Sequence, residues 1–141
     1  MRIDSMVQSI LTPTDGSDPS YQAIEKAVHI AKPFDATIHA LSVVKPIPKR
    51  DRLRYDPEDD ANEAIAKARE LVEHEDLTLI GETREGLPSE QITAYADEHD
   101  IDMIVMGTHG RSGLDRLLIG SVAERTVRTS PIPVLTVPPT E

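Results

Sequence analysis

The chain has no cysteine and no tryptophan, and it contains one phenylalanine and three tyrosines among its 141 residues. Without cysteine there are no disulfides, no thiol catalysis and no cysteine-based zinc site. The shortage of aromatic side chains argues against a binder of single-stranded nucleic acid, which needs rings on which bases stack. The five histidines are scattered, at positions 29, 39, 74, 99 and 109, without the close spacing of metal ligands.

A basic face is also missing, because 25 acidic residues outnumber 15 Lys and Arg residues and give a formal net charge of −10. Binding to duplex DNA is therefore disfavoured, since phosphate contacts depend on Lys and Arg. The acidity is typical of a solubilising surface, and adaptation to high salt is the alternative. No apolar run is long enough to cross a membrane, and the N-terminus has no signal-peptide pattern. The sequence predicts a single domain over residues 1–141, located in the cytoplasm.

Strand-like and helix-like patterns alternate along the chain. Apolar segments typical of strands lie at 7–13, 36–44, 77–82, 103–106 and 131–137. Amphipathic segments typical of helices lie at 19–31, 58–73, 89–99 and 122–129. The first helix is predicted to have Asp18 as its N-cap and Pro19 at its first position. This order predicts an α/β fold, a doubly wound, three-layer architecture in which helices cover both faces of a parallel sheet of five strands.

Glycine is concentrated after the fourth predicted strand, in Gly107-Thr108-His109-Gly110-Arg111-Ser112-Gly113, and it recurs at Gly120-Ser121. Glycine allows close approach to backbone amides, and the helix start adds unpaired N–H groups, so the pattern favours an anion site over ordinary turns. Ligands of parallel sheets bind beyond the carboxyl ends of the strands. If strands one and four are neighbours, the loop Pro13-Thr14-Asp15-Gly16-Ser17 faces the same crevice. We therefore expect a site for the phosphates of a nucleotide.

Four side chains near this crevice have two interpretations each. Ser121 is a predicted helix N-cap that can also meet a phosphate oxygen. Arg111 neutralises phosphate charge or is a solvated loop cation. His109 hydrogen-bonds a phosphate or ribose oxygen, or it faces solvent or the backbone. Asp15 contacts the nucleoside or holds Mg²⁺ against the phosphates, or it only bonds its own turn.

Other polar residues are assigned structural or surface roles. The segment 45–57 holds three prolines and is predicted to be a loop. Its basic cluster is interpreted as solvated rather than as a lid over phosphates, and consists of Lys45, Lys49, Arg50, Arg52 and Arg54. The histidines interpreted as structural or surface residues are His29, His39, His74 and His99.

These landmarks make the chain similar to the universal stress protein family, in its ATP-binding branch. The family's phosphate motif is glycine, two residues, glycine, nine residues, then glycine followed by serine or threonine, which Gly107, Gly110 and Gly120-Ser121 satisfy in full. The opening loop 13–17 and the ending 131–137 also resemble the family. The resemblance implies a Rossmann-like sheet in the order 3-2-1-4-5 and a bound ATP or other adenine nucleotide, for which Mg²⁺ is a further candidate. It also implies a homodimer formed through the last strand, Pro131–Val137.

The resemblance further implies where the nucleotide lies. Gly107, Gly110, Gly120 and Ser121 would surround the phosphates, and Val122 would donate its amide. Pro13, Thr14 and Asp15 would lie near the nucleoside, Val43 or Val44 would border adenine, and Met106 would lie under the nucleotide. With His109 and Arg111, the expected nucleotide-binding residues are Pro13, Thr14, Asp15, Val43, Val44, Met106, Gly107, His109, Gly110, Arg111, Gly120, Ser121 and Val122.

Three functions fit these expectations. The first is an ATP-binding regulator of the stress response, in which occupancy of the crevice changes dimer shape or partner choice. The second is a slow ATP hydrolase or nucleotidyl transferase, for which Asp15 and His109 are the nearby candidates and no Walker lysine motif is present. The third is a protein-interaction module that acts without regard to the nucleotide.

Overall fold

Strands and helices alternate in the computed structural model, which describes residues 7–109 and 119–140. The strands are β1 (Ser9–Pro13), β2 (Thr37–Val44), β3 (Leu79–Glu85), β4 (Met103–Gly107) and β5 (Val134–Val137). The α-helices are α1 (Asp18–Ala31), α2 (Pro57–His74), α3 (Pro88–Glu98) and α4 (Ser121–Thr129). Short 3₁₀ helices span Lys32–Phe34 and Lys49–Leu53.

All strand pairs of the sheet are parallel, and their order is β3-β2-β1-β4-β5. The predicted strand order is therefore confirmed. Ile10 of β1 lies opposite Met103 of β4, so the segments that follow β1 and β4 leave the sheet side by side at its carboxyl edge. The last strand lies at the edge of the sheet, as its flanking prolines predicted.

Each face of the sheet is covered by two helices. Helices α1 and α2 pack on one face, where Ile38 and Ala40 of β2 join the core. Helices α3 and α4 pack on the other face, which Leu41 of β2 joins. Neighbouring residues of β2 thus point to opposite layers, as the period of a strand requires. The three-layer α/β architecture is confirmed.

Two helix starts differ from the predictions. Ser17, and not Asp18, is the N-cap of α1, and its side chain accepts a hydrogen bond from the backbone N–H of Ser20. The reason is that Ser17 has the extended backbone of a cap, whereas Asp18 is already helical. Gly120, and not Ser121, is the N-cap of α4, because Gly120 is extended at φ −63° and ψ 153°. Ser121 is consequently the first helical residue.

Other boundaries shift for local reasons. β3 was predicted at 77–82 but extends from Leu79 to Glu85, because it stays paired with β2 up to Val44. Part of the predicted loop 45–57 forms a 3₁₀ helix. β5 begins only at Val134, after two prolines that have no N–H for a sheet hydrogen bond. Within the described ranges, no helix has both the length and the apolar character required to cross a membrane.

Candidate functional site

A cleft of about 430 Å³ opens at the carboxyl edge of the sheet. The loop after β1, the end of β2, and the starts of α3 and α4 form its walls. The predicted site residues that line the cleft are Pro13, Thr14, Asp15, Val43, Met106, Gly107, His109, Gly120, Ser121 and Val122. Val44 does not line the cleft, because it follows Val43 on the opposite face of β2. Gly110 and Arg111 lie outside the described residues.

The loop after β1 is held by its own hydrogen bonds. Asp15 Oδ1 accepts a bond of 2.9 Å from the backbone N–H of Ser17 and another from the Ser17 hydroxyl. The Thr14 hydroxyl lies 3.0 Å from the Ser20 hydroxyl and accepts from the N–H of Gly16 at 3.2 Å. Gly16 has φ 81°, a conformation that favours glycine. The turn therefore has a set shape before any ligand binds.

Asp15 acts at least in part as a turn residue, the alternative foreseen from the sequence. Its Oδ1 serves the turn, and the side chain also lines the cleft. In the described part of the chain, no group of three or more His, Asp or Glu residues is arranged to hold a metal ion. A Mg²⁺ at Asp15 would thus need most of its oxygen ligands from phosphates and water.

Thr108 ties the opposite wall together. Its N–H donates to the carbonyl of Val137 at 3.1 Å, and its own carbonyl accepts from the N–H of Gly120 at 2.7 Å. Its hydroxyl lies 2.7 Å from Nδ1 of His109, and both side chains are buried. The ends of β4 and β5 and the start of α4 are joined through this residue.

Gly107 is tightly packed against α1 as well as lining the cleft. A Cβ at this position would lie 3.1 Å from the carbonyl oxygen of Pro19, at the start of α1. That distance is shorter than ordinary van der Waals contact, so a larger residue requires the start of α1 to shift by a few tenths of an ångström. Sequence reasoning assigned Gly107 to the phosphates and missed this contact.

The N-terminus of α4 is suited to an anion. Among the described residues no side chain is seen to cap the helix, and Ser121, Val122 and Ala123 of its first turn line the cleft. The first N–H groups of a helix have no partner within the helix, and the helix dipole makes this end positive. A phosphate oxygen would satisfy these donors.

An apolar wall faces this anion site. It is made by Leu41 and Val43 of β2, Pro88 and Ile92 of α3, and Met106 of β4. The N–H of Thr14 donates to the carbonyl of Leu41 at 2.8 Å, so the backbone groups of Leu41 point toward β1. Val43 lies two residues farther along β2, so its N–H and carbonyl point in the same direction, past the end of β1. An apolar surface with a few backbone donors and acceptors fits a heterocyclic base.

Sequence reasoning missed several residues of the cleft: Ser20, Leu41, Lys45, Pro88, Ile92, Thr108 and Ala123. The period of a strand provides a signal for Leu41 and Lys45, since both lie an even number of residues from Val43. Pro88 and Ile92 have helical spacing at the start of α3. Only the tertiary structure shows that α3 begins beside the cleft.

A buried polar pair lies behind the apolar wall. Nδ1 of His39 is 2.6 Å from the hydroxyl of Tyr95, whose ring stacks on His99 with centroids 3.9 Å apart. Burial lowers the pKa of His39, and the neighbouring His99 lowers it further. Burial raises the pKa of Tyr95 to about 12. Arg84 lies 5.0 Å above the Tyr95 ring and also pairs with Glu82 and Glu98.

The chain is similar to known proteins over nearly its whole length. The family model described as the universal stress protein family matches residues 6–138. Universal stress protein MJ0531 of Methanocaldococcus jannaschii is 36% identical, over 95% of this chain and 84% of that protein. The structure of universal stress protein UspA from Lactobacillus plantarum superposes with a TM-score of 0.82 and 30% identity, covering 94% of this chain and 98% of that one.

A second similar structure contains a ligand. It is a universal stress protein in complex with cAMP, with a TM-score of 0.75 and 26% identity, covering 92% of this chain and 96% of that one. Sequence and fold therefore agree. The chain belongs to the universal stress protein family.

Proposed function

We propose that the chain binds an adenine nucleotide, with ATP as the first candidate, and acts as a nucleotide-dependent regulator in the stress response. One observation carries the proposal: the N-terminus of α4, whose N-cap is Gly120, and an apolar wall face each other across one cleft of about 430 Å³. The helix N-terminus suits a phosphate group, and the apolar wall suits a purine ring. The related protein that binds cAMP supports the same ligand class.

In this proposal each wall of the cleft binds one part of the nucleotide. The phosphates lie against Gly107, Gly120 and the first amides of α4, and the base lies on the apolar wall at Val43. Thr14 and Asp15, held by their turn, border the ribose. Gly110 and Arg111 complete the phosphate site as predictions from the sequence. Where Mg²⁺ accompanies the phosphates, Asp15 is the proposed protein ligand.

Two copies of the chain are proposed to pair through Pro131–Val137. β5 lies at the edge of the sheet, and Leu135 in its centre is 37% exposed. An edge strand offers unpaired backbone groups to a second copy. We expect Leu135→Lys to shift the protein from dimer to monomer in sedimentation velocity. A wild-type protein that sediments as a monomer would remove this part of the proposal.

The nucleotide is tested directly. Protein purified without added ligand is denatured, and the released small molecules are identified by mass spectrometry. Wild-type protein is also melted with and without millimolar ATP and Mg²⁺. A ligand at a hundred times its Kd stabilises a protein by about 2.7 kcal/mol, which a thermal shift detects. No released nucleotide together with no shift would contradict the proposal.

Two variants with valine at a helix N-cap sharpen the test. Gly120→Val adds a side chain at the N-cap that lines the cleft, so we expect the ATP-dependent shift to disappear. Leu87→Val is the matched control, because Leu87 is the N-cap of α3, is 50% exposed and has no capping hydrogen bond. It should keep the shift. A folded Gly120→Val protein that responds to ATP like the control would place the ligand elsewhere.

A slow ATP hydrolase is the second candidate, because Asp15 and His109 line the same cleft. A carboxylate or imidazole at the phosphates can orient a water molecule. Asp15→Ala should then abolish phosphate release, while ATP still stabilises the protein to a smaller extent through the contacts that remain at α4 and the apolar wall. Hydrolysis that persists in this variant would trace to a contaminant or to other residues.

A further inference from the structure

Lys45 lines the cleft at the end of β2, although its basic neighbours in the segment 45–57 do not. It follows Leu41 and Val43 at a spacing of two, so it continues the row of β2 residues that forms the apolar wall. The next residue is Pro46, which favours an extended backbone at Lys45 and so preserves the alternation. Lys45 therefore belongs to the rim of the apolar wall.

The backbone on both sides of Lys45 is anchored. Before it, Val44 pairs with Glu85 of β3, and the N–H of Gly86 donates to the Val44 carbonyl at 2.9 Å. After it, Arg52 of the 3₁₀ helix forms an ion pair of 3.3 Å with the same Glu85. The rim is thus tied to the end of β3 twice.

The charge of Lys45 stands out against its surroundings. The protein has a net charge of −10, yet within the described residues the ammonium group of Lys45 forms no ion pair. Arg50 and Arg52 of the same segment pair with Asp51 and Glu85. Among the described residues of the cleft, Lys45 is the sole Lys or Arg, and Asp15 is the sole carboxylate.

Within the described residues, the anion site contributes dipoles rather than charge. The amides of Ser121, Val122 and Ala123 offer hydrogen bonds and the positive end of α4. A single phosphate can be held by such groups, but each further phosphate adds negative charge to an already acidic protein. Lys45 and the first turn of α4 line the same cleft of about 430 Å³, so a lysine side chain can extend from the rim toward groups held at the helix end. An ammonium on a flexible stem is suited to that role.

We infer that Lys45 is a specificity-determining cation of the cleft, which neutralises the outer phosphates and favours nucleotides with two or three phosphates over AMP and adenosine. The inference rests on the proposed nucleotide function. It assigns to one residue a choice that the glycine motif leaves open. The other basic residues of the segment remain solvated, as the sequence predicted.

The test is a calorimetric titration of the full chain with ATP, ADP, AMP and adenosine. We expect Lys45→Met to weaken ATP binding roughly tenfold or more, the size of one lost charge-assisted hydrogen bond, and to leave the Kd of adenosine unchanged. Lys45→Arg should restore most of the affinity for ATP. Lys49→Met is the matched control, because it removes a lysine of the same segment that does not line the cleft.

The ratio of the ATP and adenosine affinities decides the outcome. Equal losses for both ligands in Lys45→Met would show that the lysine stem only completes the apolar wall, and would overturn the inference. Unchanged ATP affinity, or an equal loss in Lys49→Met, would overturn it as well, while ATP binding by the wild type would leave the proposed function standing. A wild-type protein that binds none of the four ligands would overturn both.

Discussion

The two faces of the sheet are covered by helices of different length, and the cleft lies on the face with the shorter pair. Helices α1 and α2 have 14 and 18 residues, whereas α3 and α4 have 11 and 9. The core of the first face is aliphatic, and the buried hydroxyl side chains of Thr12 and Ser42 lie on the same side of the sheet. The second contains the buried pair His39 and Tyr95 and ends in the cleft.

This difference predicts that mutations on the two faces affect stability and ligand binding differently. Two long helices cover one face with aliphatic side chains such as Val72 and Val28, and burial of that kind contributes to stability without specificity. The shorter pair starts beside the carboxyl ends of the strands, where Pro88 and Ser121 line the cleft. The face covered by α1 and α2, here called the closed face, should therefore respond to mutation through stability alone. The face covered by α3 and α4, here called the open face, should respond through stability and ligand affinity together.

The largest effects are expected from Ile38→Ala on the closed face and Ile92→Ala on the open face. Both side chains are buried, at 0% and 1% exposure. Each truncation should lower the free energy of unfolding by about 2–5 kcal/mol, with Ile92 near the lower end because the cleft gives the site room to relax. Urea denaturation measures the loss. Only Ile92→Ala should also weaken ATP binding, and an equal binding defect in folded Ile38→Ala would erase the distinction between the faces.

Tyr95→Phe should lower the free energy of unfolding by about 1–3 kcal/mol, because it removes the hydroxyl that partners Nδ1 of the buried His39. Chemical denaturation again gives the change. Tyr21→Phe is the control, since Tyr21 is 38% exposed and lies on α1 of the closed face. The two variants should differ clearly, and a cost as small for Tyr95 as for Tyr21 would mean that the buried pair contributes little to the open face.

A pH effect should follow from His39. Burial and His99 lower its pKa in the folded protein below the ordinary value of 6.5, so the unfolded chain takes up a proton that the fold does not. The free energy of unfolding should therefore fall as the pH drops below 6.5, and this contribution should level off below the folded pKa. The slope from one histidine is at most about 1.4 kcal/mol per pH unit.

His39→Gln should flatten that pH profile, measured by urea denaturation between neutral and mildly acid pH. The groups that face His39 and its partner are Tyr95, His99, Arg84, Glu82 and Glu98, and all of them remain in the variant. His29→Gln on α1 is the control and should keep the wild-type slope. A slope that survives unchanged in His39→Gln would assign the effect to another group.

The smallest effects are expected from two exposed ion pairs with helical spacing. Arg69 pairs with Glu73 on α2 at 3.4 Å, and Arg128 pairs with Glu124 on α4 at 2.5 Å. Glu73→Gln and Glu124→Gln should each lower the free energy of unfolding by no more than about 0.5 kcal/mol, because solvent screens both ion pairs. Equal results would confirm that the faces differ in their cores and not in their surfaces, and a loss above about 1 kcal/mol in either variant would show otherwise.

The fold was largely predictable because its signals are local. Periods of two and of 3.6 residues marked the strands and helices, and prolines marked β5 as an edge strand. The helix caps at Ser17 and Gly120 were predicted one residue too late, since a cap is defined by backbone angles that composition does not reveal. β3 proved longer than predicted because pairing with β2 sustains its polar end.

The site was predictable only in part. The loops at Thr14 and Gly120 have local signatures, and the structure brings them to one cleft, while their contact with a nucleotide stays a proposal. The pairing of His39 with Tyr95 joins residues 56 positions apart, and no local pattern points to it. The sequence predicted Lys45 to be one of five solvated cations. The structure shows that it follows the end of β2 and lines the cleft.

Local chemistry thus determined the alternation of strands and helices, the acidity, and the glycine positions that leave a helix start open to an anion. The tertiary structure decided which of these features meet. It placed β1 beside β4, which brings the loop at Asp15 opposite Gly120, and it set α3 beside the end of β2. The physical reason is that a parallel sheet aligns the carboxyl ends of strands far apart in the chain, while burial of long-range apolar contacts selects their order.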